Sequence, residues 1–233
     1  MSSFEKDQNF WTNFWNNNPI IKKPEPQLKV GRTINGVPIN ENLWNETISF
    51  LSGQLELNTD DKVLDIAAGC GLISVPFSKK VNSLCAVDIS EELTKSYGDY
   101  NNITKIISDI RDCEFKEGEF TKVIFYFALQ FLTMEESVLM LEKIYKWLSP
   151  GGIAYIGDIP DIYKMFDYFN TLERESQFFN SLKNRTPIIG TWYSRKFLQE
   201  LGGFVGFENV EIINQPSNFF NAHYRFDVKL FKK

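Results

Sequence analysis

Apolar and polar positions along the chain change period several times, and each change marks an element. Phe10, Trp11, Phe14 and Trp15 recur at helical spacing and predict a short helix with one heavy apolar face. Pro19, Pro24 and Pro26 break it. From Glu41 the helical period returns, with Leu43, Trp44, Ile48, Leu51 and Leu55 at three- and four-residue steps. At Lys62 a strand–helix alternation begins. Val63–Ala67 reads as a short buried strand running into glycines, and Leu72–Lys80 as a helix. Leu84–Val87 is a second strand ended by Asp88, with Ser90 placed to cap the next helix. Ile103–Ile107 and Lys122–Phe127 are the third and fourth strands. Met134–Leu148 carries Val138, Leu141, Ile144, Tyr145 and Leu148 on one helical face. The run Ser149-Pro150-Gly151-Gly152 stops it, and Ile153–Gly157 is a fifth strand. Such alternation predicts parallel strands, right-handed helical crossovers and helices on both sheet faces.

After Pro160 the rhythm changes. Residues 161–190 are aromatic and charged without a strand pattern, which predicts an inserted helical cover. Ser194–Leu201 reads as a helix closed by Gly202 and Gly203. Val210–Asn214 and Tyr224–Phe231 are strands with no helix between them, so they pair antiparallel. The expected fold is α/β: a doubly wound, seven-stranded sheet with its last strand antiparallel. Residues 1–44 form an N-terminal arm or lid, and residues 45–233 a domain with a helical lid insertion at about 160–192. No internal repeat or low-complexity tract is visible.

Composition narrows the class. A length of 233 residues, 43% hydrophobic and 24% charged, fits one large globular domain with elaborations and excludes disorder as the main state. With 25 basic against 30 acidic side chains the net charge is −5, which argues against a nucleic-acid partner. No apolar stretch is long enough to span a bilayer, and MSSFEKDQNF lacks a basic-then-apolar leader pattern. Cys70, Cys85 and Cys113 are odd in number and widely spaced, so neither a disulfide framework nor a zinc set is expected. A single histidine, His223, leaves no His-based metal cluster. The expectation is a cytoplasmic protein with no metal and no membrane partner; pairing into a homodimer is left open.

The most informative stretch is VLDIAAGCGLISV, residues 63–75. Its glycines follow a strand and precede a helix, where backbone amides approach a ligand closely. A nicotinamide dehydrogenase would want glycine or alanine at position 74, where this chain has Ser74. Asp65, just before the loop, is an awkward charge beside a pyrophosphate, whereas a cationic ligand tolerates it. Asp88 and Asp109 end the next two strands, so three carboxylates point at one sheet edge. Asp88 is placed to accept hydrogen bonds from both hydroxyls of a ribose. Asp109 is placed to accept from an exocyclic amine, with Ile89 and Ile110 offering apolar faces to an adenine. Helix capping is the blander role open to each of the three. Together they describe a pocket for a cationic adenosine derivative without phosphates.

At this point the chain resembles the class I S-adenosylmethionine-dependent methyltransferases. The resemblance runs through Asp65 to Gly71, VDIS at 87–90, SDI at 108–110, IFYFALQFL at 124–132 and LSPGG at 148–152. It implies a Rossmann-like sheet, S-adenosyl-L-methionine as cofactor and S-adenosyl-L-homocysteine as product. By that resemblance the backbone near Ala67, Gly69 and Gly71 contacts the methionine part. Asp88 then holds the ribose, Asp109 with Ile110 the adenine, and Tyr126 and Phe127 close around the sulfonium end. Ala68 stands where relatives often have a further glycine, and Gln130 where many have a histidine.

Methyl transfer needs an acceptor brought close, aligned and kept dry. Because the last strand runs antiparallel, its beginning at AHYRFD (222–227) is expected at the active edge. His223 is therefore the first candidate general base and Asp158, at the end of strand five, the second. Tyr224, Arg225, Gln130, Trp11, Trp15 and Arg32 are candidate acceptor contacts; Arg32 suits an anionic group. The arm motif VGRTINGVPI resembles uncharacterised bacterial methyltransferases of surface-polysaccharide or capsule decoration. The expected activity is methylation of O or N on a small, anionic or sugar-linked acceptor. RNA methylation would want a basic face and an Asn/Asp-Pro-Pro-Tyr/Phe motif after strand four, where this chain reads FYFALQ. A non-catalytic cofactor-binding partner or sensor is excluded by no residue.

Overall fold

The computed structural model describes residues 10–34, 36–186 and 189–233. Seven strands form one sheet: β1 (Lys62–Ile66), β2 (Ser83–Asp88), β3 (Ile103–Ile107), β4 (Phe120–Tyr126), β5 (Leu148–Pro160), β6 (Asn209–Asn214) and β7 (Arg225–Phe231). Their order is β3-β2-β1-β4-β5-β7-β6. All neighbouring pairs from β3 to β5 are parallel, and β7 lies antiparallel between β5 and β6. The strand order reverses between β1 and β4, so the glycine loop after β1 leaves the sheet at the topological switch point. The fold is the expected Rossmann-like, doubly wound sheet.

Alternating residues build two cores. Leu64, Ile66, Val123, Phe125, Ala154 and Ile156 face one side, under α5 (Met134–Trp147) and α7 (Arg195–Val205). Val63, Ile124, Tyr126, Ile153 and Tyr155 face the other, under α2 (Glu41–Gln54) and α3 (Ser74–Ser78). Asp65 shares that second face, which puts its carboxylate against α3. Capping sets the helix starts: Asn40 accepts from Asn42 N at α2, Ser90 from Leu93 N at α4 (Glu91–Lys95), and Thr133 and Glu136 form a reciprocal capping box at α5. The arm contributes α1 (Phe10–Asn17) and a two-residue-strand hairpin, Thr33–Ile34 with Val37–Pro38. The stretch after β5 is helical as expected, with α6 at Leu172–Asn184.

Three boundaries differ from expectation for physical reasons. The fifth strand runs from Leu148 to Pro160 because it pairs on both sides, with β4 and β7. The helix read at Leu72–Lys80 shrinks to Ser74–Ser78, after the glycine loop has used the preceding residues. Gly202 and Gly203 do not close α7; the helix continues to Val205 and ends at Gly206, whose φ of 110° suits glycine. Gly202 instead makes room: a Cβ there would stand 2.6 Å from Val210 Cγ2 and 2.9 Å from Leu230 Cδ2. Gly202→Ala is therefore expected to lower unfolding stability by about 1–3 kcal/mol, through overpacking that outweighs its better helix propensity. A lower urea midpoint at unchanged slope would show this, and an unchanged midpoint would refute it.

Candidate active site

The loop after β1 turns on Ala67, Gly69 and Gly71, at φ of 58°, 56° and 77°. Its amides are committed early. Ala68 N donates to Val87 O at 3.0 Å, and Gly69 N donates to Asp88 Oδ2 at 2.7 Å. Ser90 N donates to Asp88 Oδ1 at 2.8 Å, so Asp88 ties the glycine loop to the start of α4. Burial pushes the Asp88 carboxyl up to about 6, against the two backbone hydrogen bonds that favour its charge. Asp65 is buried deeper and accepts from Ser74 Oγ at 2.5 Å. Burial, opposed by that hydrogen bond and reinforced by the charge of Asp88, pushes Asp65 up to about 7. Among the described residues neither carboxylate has an ion-pair partner. Two buried acids without a counter-charge border one cleft, which is costly unless a cation arrives.

That cleft holds about 1070 Å³ including its mouth. Asp65, Ala67, Gly69, Asp88, Ile89, Asp109, Ile110, Tyr126 and Phe127 all line it, while Gly71 lies behind the wall, packed under the Tyr97 ring. Asp109 is less free than its sequence position implies. Arg111 donates from Nε to both its oxygens at 3.0 Å, from Nη2 at 2.5 Å and from its backbone N at 2.9 Å. Any amine that Asp109 receives shares those oxygens with Arg111. The arm closes the opposite wall with Trp11, Trp15 and Arg32. The tryptophan rings lie 4.4 Å and 5.8 Å from that of Phe131, and Ser90 Oγ donates to Trp15 O at 3.2 Å.

Where β4 and β5 end, the backbone is strained: Phe127 has φ 64° and Asp158 φ 59°. At Asp158 the β5–β7 register also shifts. Arg32 lies over Phe127 and Tyr126, 4.1 Å and 4.7 Å from the ring centres, and its Nη1 donates to Asp158 Oδ2 at 2.6 Å. Arg225 lies over Phe127 at 4.8 Å, donates to Gln130 Oε1 at 2.7 Å and also donates to Asp158 O. Burial alone would raise the Asp158 carboxyl; the guanidiniums of Arg32 and Arg225 outweigh it and hold it below the usual value. Asp158 is thus an anchor for two arginines and a poor proton acceptor.

The structure does not bring His223 to the cleft. The chain turns over residues 220–224 and β7 begins only at Arg225, so the alternation that directs Arg225 and Asp227 inward stops short of the histidine. His223 is exposed and packs on Tyr224, with ring centres 4.8 Å apart. Tyr224 itself packs against Tyr168 and Trp192 of the insertion and does not line the cleft. Gln130 is buried as the partner of Arg225 and of Thr191 N. His223→Ala is therefore expected to leave turnover within about twofold of the parent, as is usual for an exposed change away from a site. A larger loss in a rate assay would return the histidine to the mechanism.

Sequence reasoning missed the second row of this site. Asp227 accepts from Tyr155 Oη at 2.5 Å, Asp158 N at 2.7 Å and Gln215 Nε2 at 2.8 Å. The alternation of FDVKLF, which sets Asp227 and Lys229 on the strand face opposite Phe226, Val228 and Leu230, was the available signal. Gln215, Asn221, Trp44 and Thr47 gave none beyond their place near strand and helix ends. Among the described residues no group of three or more His, Cys, Asp or Glu is placed to hold a metal, and no helix is long and apolar enough to cross a membrane.

Residues 63–152 match a family described as "Methyltransferase domain". The chain carries an S-adenosylmethionine-dependent methyltransferase domain. This methyltransferase is 26% identical over 199 residues to the ubiquinone/menaquinone biosynthesis C-methyltransferase UbiE of Wigglesworthia glossinidia brevipalpis, covering 77% of this chain and 78% of the relative. It is 32% identical over 90 residues to the carboxy-S-adenosyl-L-methionine synthase of Shewanella loihica, covering 39% of this chain and only 34% of that protein. Among solved structures, magnesium protoporphyrin IX methyltransferase from Synechocystis PCC 6803 with bound SAH superposes with a TM-score of 0.66 at 14% identity, covering 98% of this chain and 100% of that one. The cofactor of the methyltransferase is S-adenosylmethionine, and the residues present suit it. Its sulfonium and ammonium groups bring positive charge to a cleft with two uncompensated carboxylates, and its adenine suits a wall that includes Ile89 and Ile110.

Proposed function

We propose that the methyltransferase moves a methyl group to an O or N atom of a small acceptor that is anionic or sugar-linked. The observation that carries the cofactor half of this reading is the pair Asp65 and Asp88, buried at the switch-point loop with no ion-pair partner among the described residues. In this reading Asp88 accepts from the ribose hydroxyls, and the loop from Ala67 to Gly71 receives the methionine part. Asp109, Ile89 and Ile110 border the adenine, while Tyr126 and Phe127 border the methyl end. S-adenosylmethionine supplies an activated methyl group on a positively charged sulfur with a neutral thioether as leaving group. The chain's own contribution is orientation and dryness: the Trp11, Trp15 and Phe131 stack covers the cleft, and orientation alone is worth about 7–11 kcal/mol of a barrier.

Arg32, at the methyl end of the cleft, supports the anionic half. With His223 outside and Asp158 held ionised, the reading favours acceptor atoms that are nucleophilic near neutral pH, an amine nitrogen or an acidic oxygen. The sugar-linked end of the range, and a surface-polysaccharide setting, rest on the arm motif alone.

Calorimetric titration with S-adenosylmethionine and S-adenosylhomocysteine tests the assignment. Asp88→Ala removes the ribose acceptor and is expected to weaken both ligands at least tenfold, since each charge-assisted hydrogen bond is typically worth about 1.5–3 kcal/mol. Unchanged affinity in that variant would overturn the ribose role, and no binding by the parent protein would overturn the reading as a whole.

A further inference from the structure

Of fourteen exposed large apolar side chains among the described residues, six fall between residues 162 and 182, so the insertion carries a concentrated apolar surface. The surface centres on α6. Of the four apolar residues in that helix, Phe178 packs on Phe166 and Phe169, with ring centres 5.8 and 4.6 Å apart. Leu172, Phe179 and Leu182 remain 84%, 57% and 48% exposed, and Phe166 beside them 52%. No residue of α6 is buried. A helix of 13 residues is marginal in water alone and relies on packing of its apolar face. Here most of that face meets no other part of the chain.

At about 100° per residue, Leu172, Phe179 and Leu182 lie within an arc of about 80°. Phe178 lies about 40° past Leu182, so the helix leans on the protein by one edge of this arc and turns the rest outward. Two charges share the outward face: Glu175 inside the arc, and Lys183 about 20° beyond Leu172. Neither has an ion-pair partner among the described residues. Glu175 stands four residues before Phe179 and Lys183 four after it. Turned end for end about Phe179, the helix therefore presents a positive charge where it had a negative one. Two copies laid antiparallel about a two-fold axis at Phe179 set Phe179 against itself, Leu182 against the small Ser176, and each Glu175 against the second copy's Lys183. An anionic bilayer suits this face less well, because interfacial helices carry basic residues around the apolar stripe and α6 has Glu173 and Glu175 in its first turn.

We propose that α6 is a self-association surface whose partner is a second copy of this chain, bound antiparallel through Leu172, Phe179 and Leu182 with Glu175–Lys183 pairs at the rim. The apolar contact supplies the affinity, and the rim charges fix direction and register. The surface is small, so the dimer is a weak one in the micromolar range. This surface lies outside the methyl-transfer reading and does not depend on it.

Sedimentation velocity of the full chain, from micromolar to millimolar concentration, tests the proposal. The parent protein is expected to show a concentration-dependent monomer–dimer equilibrium. Phe179→Glu removes the central apolar contact and sets like charges together on the axis. It is expected to weaken the dimer at least a hundredfold while the circular dichroism spectrum stays unchanged. Glu175→Lys and Lys183→Glu each place like charges together twice, and each is expected to weaken the dimer at least fivefold at low salt. The double variant restores both pairs and should return to within twofold of the parent, a rescue specific to antiparallel pairing of identical copies. A parent that stays monomeric throughout overturns the proposal, as does a dimer that Phe179→Glu leaves intact or a double variant no stronger than the single ones. A monomeric parent that sediments with phosphatidylglycerol vesicles, and loses them in Phe179→Glu, overturns it in favour of a membrane.

Discussion

Affinity for S-adenosylmethionine is expected to fall by up to about a thousandfold as the pH is lowered from 8 to 5. In the free protein burial sets Asp65 at about 7 and Asp88 at about 6. A ligand that brings positive charge binds best when both are ionised. At pH 5 their protonation opposes binding by about two powers of ten at Asp65 and one at Asp88. Titration calorimetry across that range measures the slope, and a flat profile would reject the carboxylate–cation complementarity. Asp65→Asn should remove most of the slope while keeping the partner of Ser74.

The same two groups act on folding in the opposite sense. Their folded values lie above the ordinary Asp value of 3.8, so the stability they contribute is full below it and is lost as pH rises through about 6 and 7. Asp227, pushed up to about 6 by burial despite its hydrogen bonds, adds to that trend. Asp158, held low, contributes oppositely: its stability is present at neutral pH and lost as the pH falls through its depressed range. Cofactor should therefore stabilise the protein most at the alkaline end of the range.

Arg32→Ala is expected to cost about 3–5 kcal/mol of unfolding free energy. The arginine and Asp158 are 6% and 1% exposed, so removing the cation leaves an ionised carboxylate buried. Arg225, whose Nε lies 3.9 Å from Asp158 Oδ1, keeps the loss toward the lower end. Replacing both members, as Arg32→Met with Asp158→Asn, should recover part of the loss, because no ionised carboxylate is then stranded, while Arg225, which also pairs with Asp158, keeps the recovery incomplete. Urea unfolding of the four proteins in the cycle checks this. A double variant no better than Arg32→Met would mean that the arm depends on Arg32 for packing over Tyr126 and Phe127, and not for its charge.

Much of this was legible in the sequence, and the boundary of legibility is physical. Asp65, Asp88 and Asp109 could be placed at one edge of the sheet because each sits where a parallel strand gives way to its loop, and parallel strands end at the same edge. The antiparallel pairing of β6 and β7 followed from the lack of a crossover helix between them. The Arg32–Asp158 pair could not be read, because its members are 126 residues apart and no local period links them. Asp158 looked like a base when seen alone; its role depends on two arginines brought in from the arm and from β7. His223 lies outside the cleft for a local reason: it belongs to the turn that precedes β7, where the alternation of the strand does not direct it. The overlong β5 escaped notice because Ser149-Pro150-Gly151-Gly152 reads as a stop, yet those residues form a bulge within the strand, between the Phe120–Leu148 and Lys122–Ile153 pairings.

Ala67, Phe127 and Asp158 adopt left-handed backbone conformations, and they stand at the ends of β1, β4 and β5 on one edge. Glycine would occupy each position without the Cβ cost, so every one of these side chains is retained against a local preference of the backbone. In a library of variants selected for folding alone, glycine would accumulate at Ala67, while Asp158 and Phe127 would be kept by the two arginines packed on them. Selection for turnover would hold the original side chain at Ala67 as well, and the difference between the two outcomes would mark that end of the edge as working without any ligand having been identified.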